Sequence, residues 1–124
     1  MFRVLALILC FGWLTGVAYA GTPFDPNAFA AAQATGRPVL VEVHADWCPV
    51  CVKQQPVISE LLSQPRFKQF QVLTVDFDSQ KDALRALGVR YQSTLIVFKG
   101  KQEVARSTGE TAKDKLAELL AKAI

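Results

Sequence analysis

Two cysteines carry the chemistry this sequence advertises. Cys48 and Cys51 stand in the run Ala45-Asp-Trp-Cys-Pro-Val-Cys, directly after an apolar stretch. Three uses of such a pair compete. A structural zinc site needs four ligands, and past residue 20 the chain offers Cys48, Cys51 and a single histidine, His44. No metal site is therefore expected within one chain. A structural crosslink gains strength with the loop it closes, and this loop is nearly the shortest possible. A redox pair explains the placement better. Cys48 at or just before a helix start would meet unpaired backbone N–H groups and the positive end of the helix dipole, which favour a thiolate. The thiolate is the form that attacks a disulfide. Cys51, about one turn later, is close enough to resolve the mixed disulfide. Pro49 suits the first helical turn, where a missing N–H costs little. This reading expects the leading sulfur to be exposed at the helix mouth. Trp47 offers a shield or a flat apolar contact beside it.

The pair needs a strand before it and a helix after it, and the flanking residues supply both. Val39 to Val43 is mostly apolar and β-branched, as a buried strand is. "VKQQPVISELLS" has helical spacing, with Val57, Ile58, Leu61 and Leu62 on one face and a kink expected at Pro56. Upstream, Asp25-Pro26 marks a helix start, with an N-cap carboxylate and proline at the first position. That helix should end at Gly36. Phe70 to Phe77 is a second strand. "SQKDALRALGV" is a short helix capped by Ser79 or Asp78 and stopped by Gly88. Thr94 to Phe98 is a third strand, and Lys99-Gly100-Lys101 turns into an edge strand over "QEVARST". Thr111 is expected to cap the last helix, with Leu116, Leu119, Leu120 and Ile124 as its buried stripe. Phe67, Phe70, Phe77 and Phe98 are core candidates.

Strands alternating with helices predict parallel neighbours joined by right-handed crossovers, with the final hairpin adding an antiparallel edge. The expected fold class is α/β, a three-layer sandwich whose central mixed sheet has helices on both faces. The cysteines then lie where the carboxyl end of the first strand meets a helix N-terminus, a favoured place for reaction sites.

The first 20 residues read differently from the rest. Arg3 precedes an apolar run from Val4 to about Val17, and Ala18-Tyr19-Ala20 places small residues where a signal peptidase reads. Cleavage after Ala20 is expected, leaving a single domain over residues 21–124 that is periplasmic or secreted. The alternative is an uncleaved anchor in the inner membrane. Cys10, mid-run, reads as a plain apolar residue. Lys and Arg total 14 against 11 Asp and Glu. Loss of Arg3 leaves a balance near +2, too mild to argue for nucleic acid or a polybasic membrane contact. An exported chain with one cysteine pair would live where disulfides persist.

"VLVEVHADWCPVC" resembles the active-site segment of thioredoxin. Pro56, five residues past the second cysteine, stands where thioredoxins carry their kink proline. "LGVRYQSTLIVFKGKQEV" is similar to the family's segment from third helix to terminal hairpin, and Gly109 falls where the family has a glycine beside the active-site groove. The resemblance covers essentially all of residues 25–124. It implies a thiol–disulfide oxidoreductase without cofactor or metal. Cys48 would be the attacking thiol, Cys51 the buried resolving thiol and Glu42 the buried acid beneath it, able to shuttle a proton because burial raises a carboxyl pKa. Trp47, Gln92, Ser93 and Gly109 would face the substrate. The implied partners are disulfide-containing client proteins and an upstream membrane or soluble thiol reductant, with the chain a monomer. "ADWC" also resembles periplasmic domains that pass electrons from a membrane reductant conduit, which favours the reducing direction.

Three departures from the family matter. Ser93 aligns with its cis-proline. A cis bond without proline costs about 3–4 kcal/mol, so Gln92–Ser93 is expected to be trans. The serine hydroxyl would come close to Cys48 and could donate to its thiolate, or the loop could open toward metal or cluster capture between two chains. That second idea sustains an alternative function, a non-enzymatic binding module. Thr74 replaces a lysine near the buried acid, which should make Glu42 harder to ionise. Pro49-Val50 replaces Gly-Pro between the cysteines. His44 shares a strand face with Glu42 and is expected to be a packed or satisfied histidine, while Lys53 is expected to be solvated.

Overall fold

The computed structural model describes residues 21–124. The expected leader, residues 1–20 with Cys10, lies outside the described residues. The elements are β1 (Thr22–Pro23), α1 (Pro26–Ala34), β2 (Pro38–His44), α2 (Pro49–Leu62), a 3-10 turn at Pro65–Phe67, β3 (Gln71–Asp76), α3 (Lys81–Leu87), β4 (Thr94–Lys99), β5 (Gln102–Thr108) and α4 (Lys113–Ala121). They form one five-stranded sheet in the order β1-β3-β2-β4-β5. The two-residue β1 and the 3-10 turn have no counterpart in the sequence reading.

β2 lies at the centre and is buried from Pro38 to Val43. Its side chains alternate between two cores, as strand geometry requires. Val39, Val41 and Val43 join Phe24, Ala32, Leu73, Val75 and Leu84 on the α1/α3 side. Leu40 joins Ile58, Leu61, Phe67, Leu116 and Leu120 on the α2/α4 side. Glu42 shares the second face with Leu40. Phe67, Phe70 and Phe98 are buried. Phe77 is only half-buried, because it packs at the rim against the cysteine cluster.

The sheet corrects one expectation. β1, β3 and β2 are parallel, but β4 lies antiparallel to β2, and β5 antiparallel to β4. The reason is reach. α3 has seven residues, about 10 Å of helix at 1.5 Å per residue, against about 20 Å for a six-residue strand. So short a helix does not carry the chain back along the sheet, and β4 starts from the end where β3 stopped. The Ser93 N–H accordingly donates to the carbonyl of Val43, at the carboxyl end of β2.

Of the helix starts, one is as expected and two are not. Asp25 caps α1 as expected, accepting the Ala28 N–H at 3.1 Å. α3 is not capped by Asp78 or Ser79. Instead Asp76 accepts their N–H groups at 2.8 and 3.2 Å, and the helix starts at Lys81. Thr111 does not cap α4 either: Glu110 accepts the N–H groups of Thr111 and Ala112 at 3.1 and 2.9 Å. Neither helix start carries a side-chain cap; in both places a carboxylate oxygen instead ties the turn that leads into the helix. Gly88 stops α3 in the left-handed region, φ 65°, as anticipated. Ile124 is exposed, since α4 ends at Ala121, and Ala123 takes the buried place.

Candidate active site

β2 and α2 build the site between them. The chain leaves β2 at His44 and enters α2 at Pro49, so Cys48 becomes the N-cap, with extended backbone at φ −84° and ψ 109°. Its sulfur does what an N-cap side chain does: it accepts the Cys51 N–H at 3.1 Å. This geometry corrects the expectation of an exposed nucleophile. Cys48 is 1% exposed, because capping turns the sulfur inward. Ala45 and Cys51 cluster with it, and Val50 and Phe77 pack on that cluster. Both thiols are free.

Cys51 lies one turn deeper, and its thiol is 3.9 Å from the carbonyl of Val43. Burial, and next the hydrogen bond with the Cys48 sulfur, push it from 9.0 up to about 11, offset in part by backbone groups of Ala45 and Ser93. Glu42 is buried, 8% exposed, so the strand's one acid does point inward. Burial raises its carboxyl above the usual 4.5, opposed by His44 and by the Thr74 hydroxyl. That hydroxyl donates to Glu42 Oε2 across a long 3.5 Å. Thr74 thus gives weak support to the carboxylate. A cavity of about 10 Å³ is lined by Glu42, Cys51, Gln54 and His44, among others. That is the least space that holds one water.

The opposite wall is the loop before β4. No peptide bond among the described residues is cis, so Gln92–Ser93 is trans, as expected. Ser93 is buried and sits at φ 59°, the one non-glycine residue with positive φ among those described. Its hydroxyl does not reach for Cys48. It donates to the carbonyl of Gln92 at 2.5 Å, since a serine in this conformation meets its own backbone first. Gly109 joins the loop by donating its N–H to the Ser93 carbonyl at 3.1 Å. Trp47 is 58% exposed. Its Nε1–H donates to Asp78 Oδ2 at 2.9 Å, and its ring meets Phe77 edge-on, centroids 6.4 Å apart. His44 pairs with Asp46 at 3.0 Å, and Lys53 is exposed.

The structure therefore links Cys48 to Cys51, sets Glu42 beside Cys51 at the small cavity, and brings Ser93 to Cys51 with Gly109 bonded behind it; Gln92 adjoins Ser93, and Trp47 is exposed beside Cys48 in the chain. The sequence reading missed Gln54. It is 3% exposed, and its amide donates to the carbonyls of Ser93 at 3.2 Å and Glu110 at 2.8 Å. One signal was available. The buried stripe of α2 runs Cys51, Gln54, Ile58, Leu61, and a glutamine on an apolar stripe asks for partners. Asp78, the anchor of Trp47, left no comparable mark. Among the described residues no group of three or more His, Cys, Asp or Glu is placed to hold a metal ion.

Against this geometry the comparisons with known proteins speak with one voice. The family model described as Thioredoxin matches residues 22–122. A thioredoxin of Chlamydia muridarum is 36% identical over 94 residues, 76% of this chain and 89% of that protein. The bifunctional thioredoxin reductase/thioredoxin of Mycobacterium leprae is 35% identical over 89 residues; the match takes in 72% of this chain but only 19% of that larger protein. Among solved structures, Trxlp from Edwardsiella tarda EIB202 is 46% identical, with a TM-score of 0.79 and coverage of 82% of this chain and 98% of that one.

Proposed function

The chain belongs to the thioredoxin family, in sequence and in fold, and is a protein thiol–disulfide oxidoreductase; we propose that it acts as a reductase of client-protein disulfides outside the cytoplasm. The observation that carries the reading is the free pair itself, with Cys48 capping α2 and the Cys51 N–H aimed at its sulfur.

The cycle balances without a cofactor. The Cys48 thiol gives its proton to solvent as it rotates about its side-chain torsion toward the client, and the resulting thiolate attacks one sulfur of a client disulfide. That S–S bond breaks, the second client sulfur leaves as a thiolate, and Cys48 holds the client as a mixed disulfide. Cys51 then loses its proton and attacks the Cys48 sulfur. The client's remaining sulfur leaves as a thiolate, and a Cys48–Cys51 disulfide remains. Two electrons from an upstream dithiol restore the pair. Glu42 takes the Cys51 proton through a water in the small cavity that both line. Burial makes the Glu42 carboxylate a stronger base than an exposed one. Trp47 and the 92–93 and 109 backbone receive the client around Cys48.

The reducing direction rests on the likeness of "ADWC" to reductive members of the family. The location rests on the leader-like residues 1–20. The same reading takes the working form as a monomer. Insulin reduction with dithiothreitol tests the activity. Wild type should precipitate insulin faster than the uncatalysed control, and Cys48→Ser should match the control. The direction is read from the reduction potential in glutathione buffers: a value near about −270 mV supports a reductase, and one near about −120 mV an oxidant.

A further inference from the structure

Ser93 takes a backbone conformation that side-chain-bearing residues avoid, so its surroundings must hold it there. Four hydrogen bonds do. The Ser93 N–H donates to Val43 O at 2.9 Å, and its carbonyl accepts from the Gly109 N–H at 3.1 Å. Its hydroxyl donates to Gln92 O at 2.5 Å. The fourth comes from Gln54, whose Nε2–H donates to the Ser93 carbonyl at 3.2 Å. The other Nε2 hydrogen goes to the carbonyl of Glu110 at 2.8 Å. Both amide hydrogens are therefore used, as burial demands.

Packing does not explain this residue. The stripe it occupies is otherwise Cys51, Ile58 and Leu61, and an aliphatic side chain would fill it without a polar group to satisfy. What the amide adds is connection. Gln54 lies one turn beyond Cys51 on the same helix, and it ties that helix to two loops at once, 92–93 and 109–110. The first of those loops borders the cysteine pair, with the Ser93 backbone within hydrogen-bond reach of the Cys51 sulfur, and the second is bonded to the first through Gly109. The bonds also leave the wall with a defined face. The Ser93 N–H, the Ser93 carbonyl and the Gln92 carbonyl all have partners within the chain, whereas the Gln92 N–H has none among the described residues.

We propose that Gln54 is a positioning residue for the client: by tying α2 to the 92–93 and 109–110 loops it sets the distance and orientation of the Gln92–Ser93 wall relative to the cysteine pair, and through that wall the affinity for the client. The proposal rests on the oxidoreductase reading above. It goes beyond that reading in assigning client affinity to a residue that touches neither sulfur.

The test combines hydrogen exchange and kinetics on the chain purified as residues 21–124. In wild type, the two side-chain amide protons of Gln54 should exchange slowly in NMR spectra; rapid exchange would overturn the clamp without any variant. In Gln54→Met, which keeps the shape, and Gln54→Leu, the Gly109 amide should exchange at least tenfold faster, with the Val97 amide of β4 unchanged. KM for insulin should rise at least fivefold, with kcat within twofold. Adding Ser93→Gly to Gln54→Leu should recover most of the KM loss, because glycine enters the left-handed region freely. Faster Gly109 exchange with unchanged KM would overturn the positioning role and leave a structural one. Unchanged exchange would overturn the clamp itself. An inactive wild type would instead refute the oxidoreductase reading, and the exchange measurements would still decide whether Gln54 holds the wall.

Discussion

Replacing Glu42 by glutamine should separate the two halves of the redox cycle. The Cys51 thiol, held up at about 11, is four units from ionising at pH 7. Unaided, about one molecule in ten thousand carries the thiolate needed for resolution. A base that takes the proton during the attack removes that handicap, and general bases contribute about 10²- to 10⁴-fold. The upper figure matches the handicap. Reaction with 5,5′-dithiobis(2-nitrobenzoate) resolves the steps, since attack by Cys48 releases one thionitrobenzoate and resolution by Cys51 a second. In Glu42→Gln the first phase should stay within threefold of wild type. The second should slow by about 10²- to 10⁴-fold at pH 7 and then climb tenfold per pH unit toward the Cys51 value. Wild type should instead level off at the lower pH where Glu42 ionises. A second phase that matches wild type in rate and pH profile would remove Glu42 from proton transfer.

The same variant carries a stability prediction. A carboxyl raised in the fold favours the protonated native state, so wild type loses stability relative to Glu42→Gln as pH rises above about 4.5 through the raised value; urea denaturation at pH 4 and pH 8 should show the variant's advantage growing with pH. Ser93→Pro should lower the melting temperature. Proline fixes φ near −65° and has no N–H, against an observed φ of 59° and a bond to Val43, and an unchanged transition would mean that the loop already samples another conformation. Phe67→Ala should cost about 3–5 kcal/mol in chemical denaturation, because that ring is fully buried between α2, β3 and α4.

Much of this was written locally and could be read locally. β2 announces itself as an unbroken apolar run with one acid, and the cost of burying an unpaired acid is what made Glu42 worth singling out. Asp25-Pro26 and Gly88 are signals confined to one turn of chain, and both hold. The misreadings share a different character. The direction of β4 depends on how far α3 reaches along a sheet that the local pattern does not measure. The spacing puts Cys48 at the correct helix end, but which way its sulfur points is decided by competition between solvent and the Cys51 N–H. The Ser93 hydroxyl likewise chose the nearest carbonyl over a more distant sulfur. Gln54 bonds to residues 39 and 56 positions away, and no window along the sequence joins them.

The inward turn of the Cys48 sulfur has a consequence for its survival. A thiolate open to solvent is attacked by peroxide and climbs through sulfenic to sulfinic acid, the last step irreversible for most proteins. With Cys48 1% exposed, a diffusing oxidant should reach the sulfur only when the side chain swings outward, and a docked polypeptide would favour that swing by the contacts it supplies. Reactivity would then be rationed by recognition, the pair staying chemically quiet between customers.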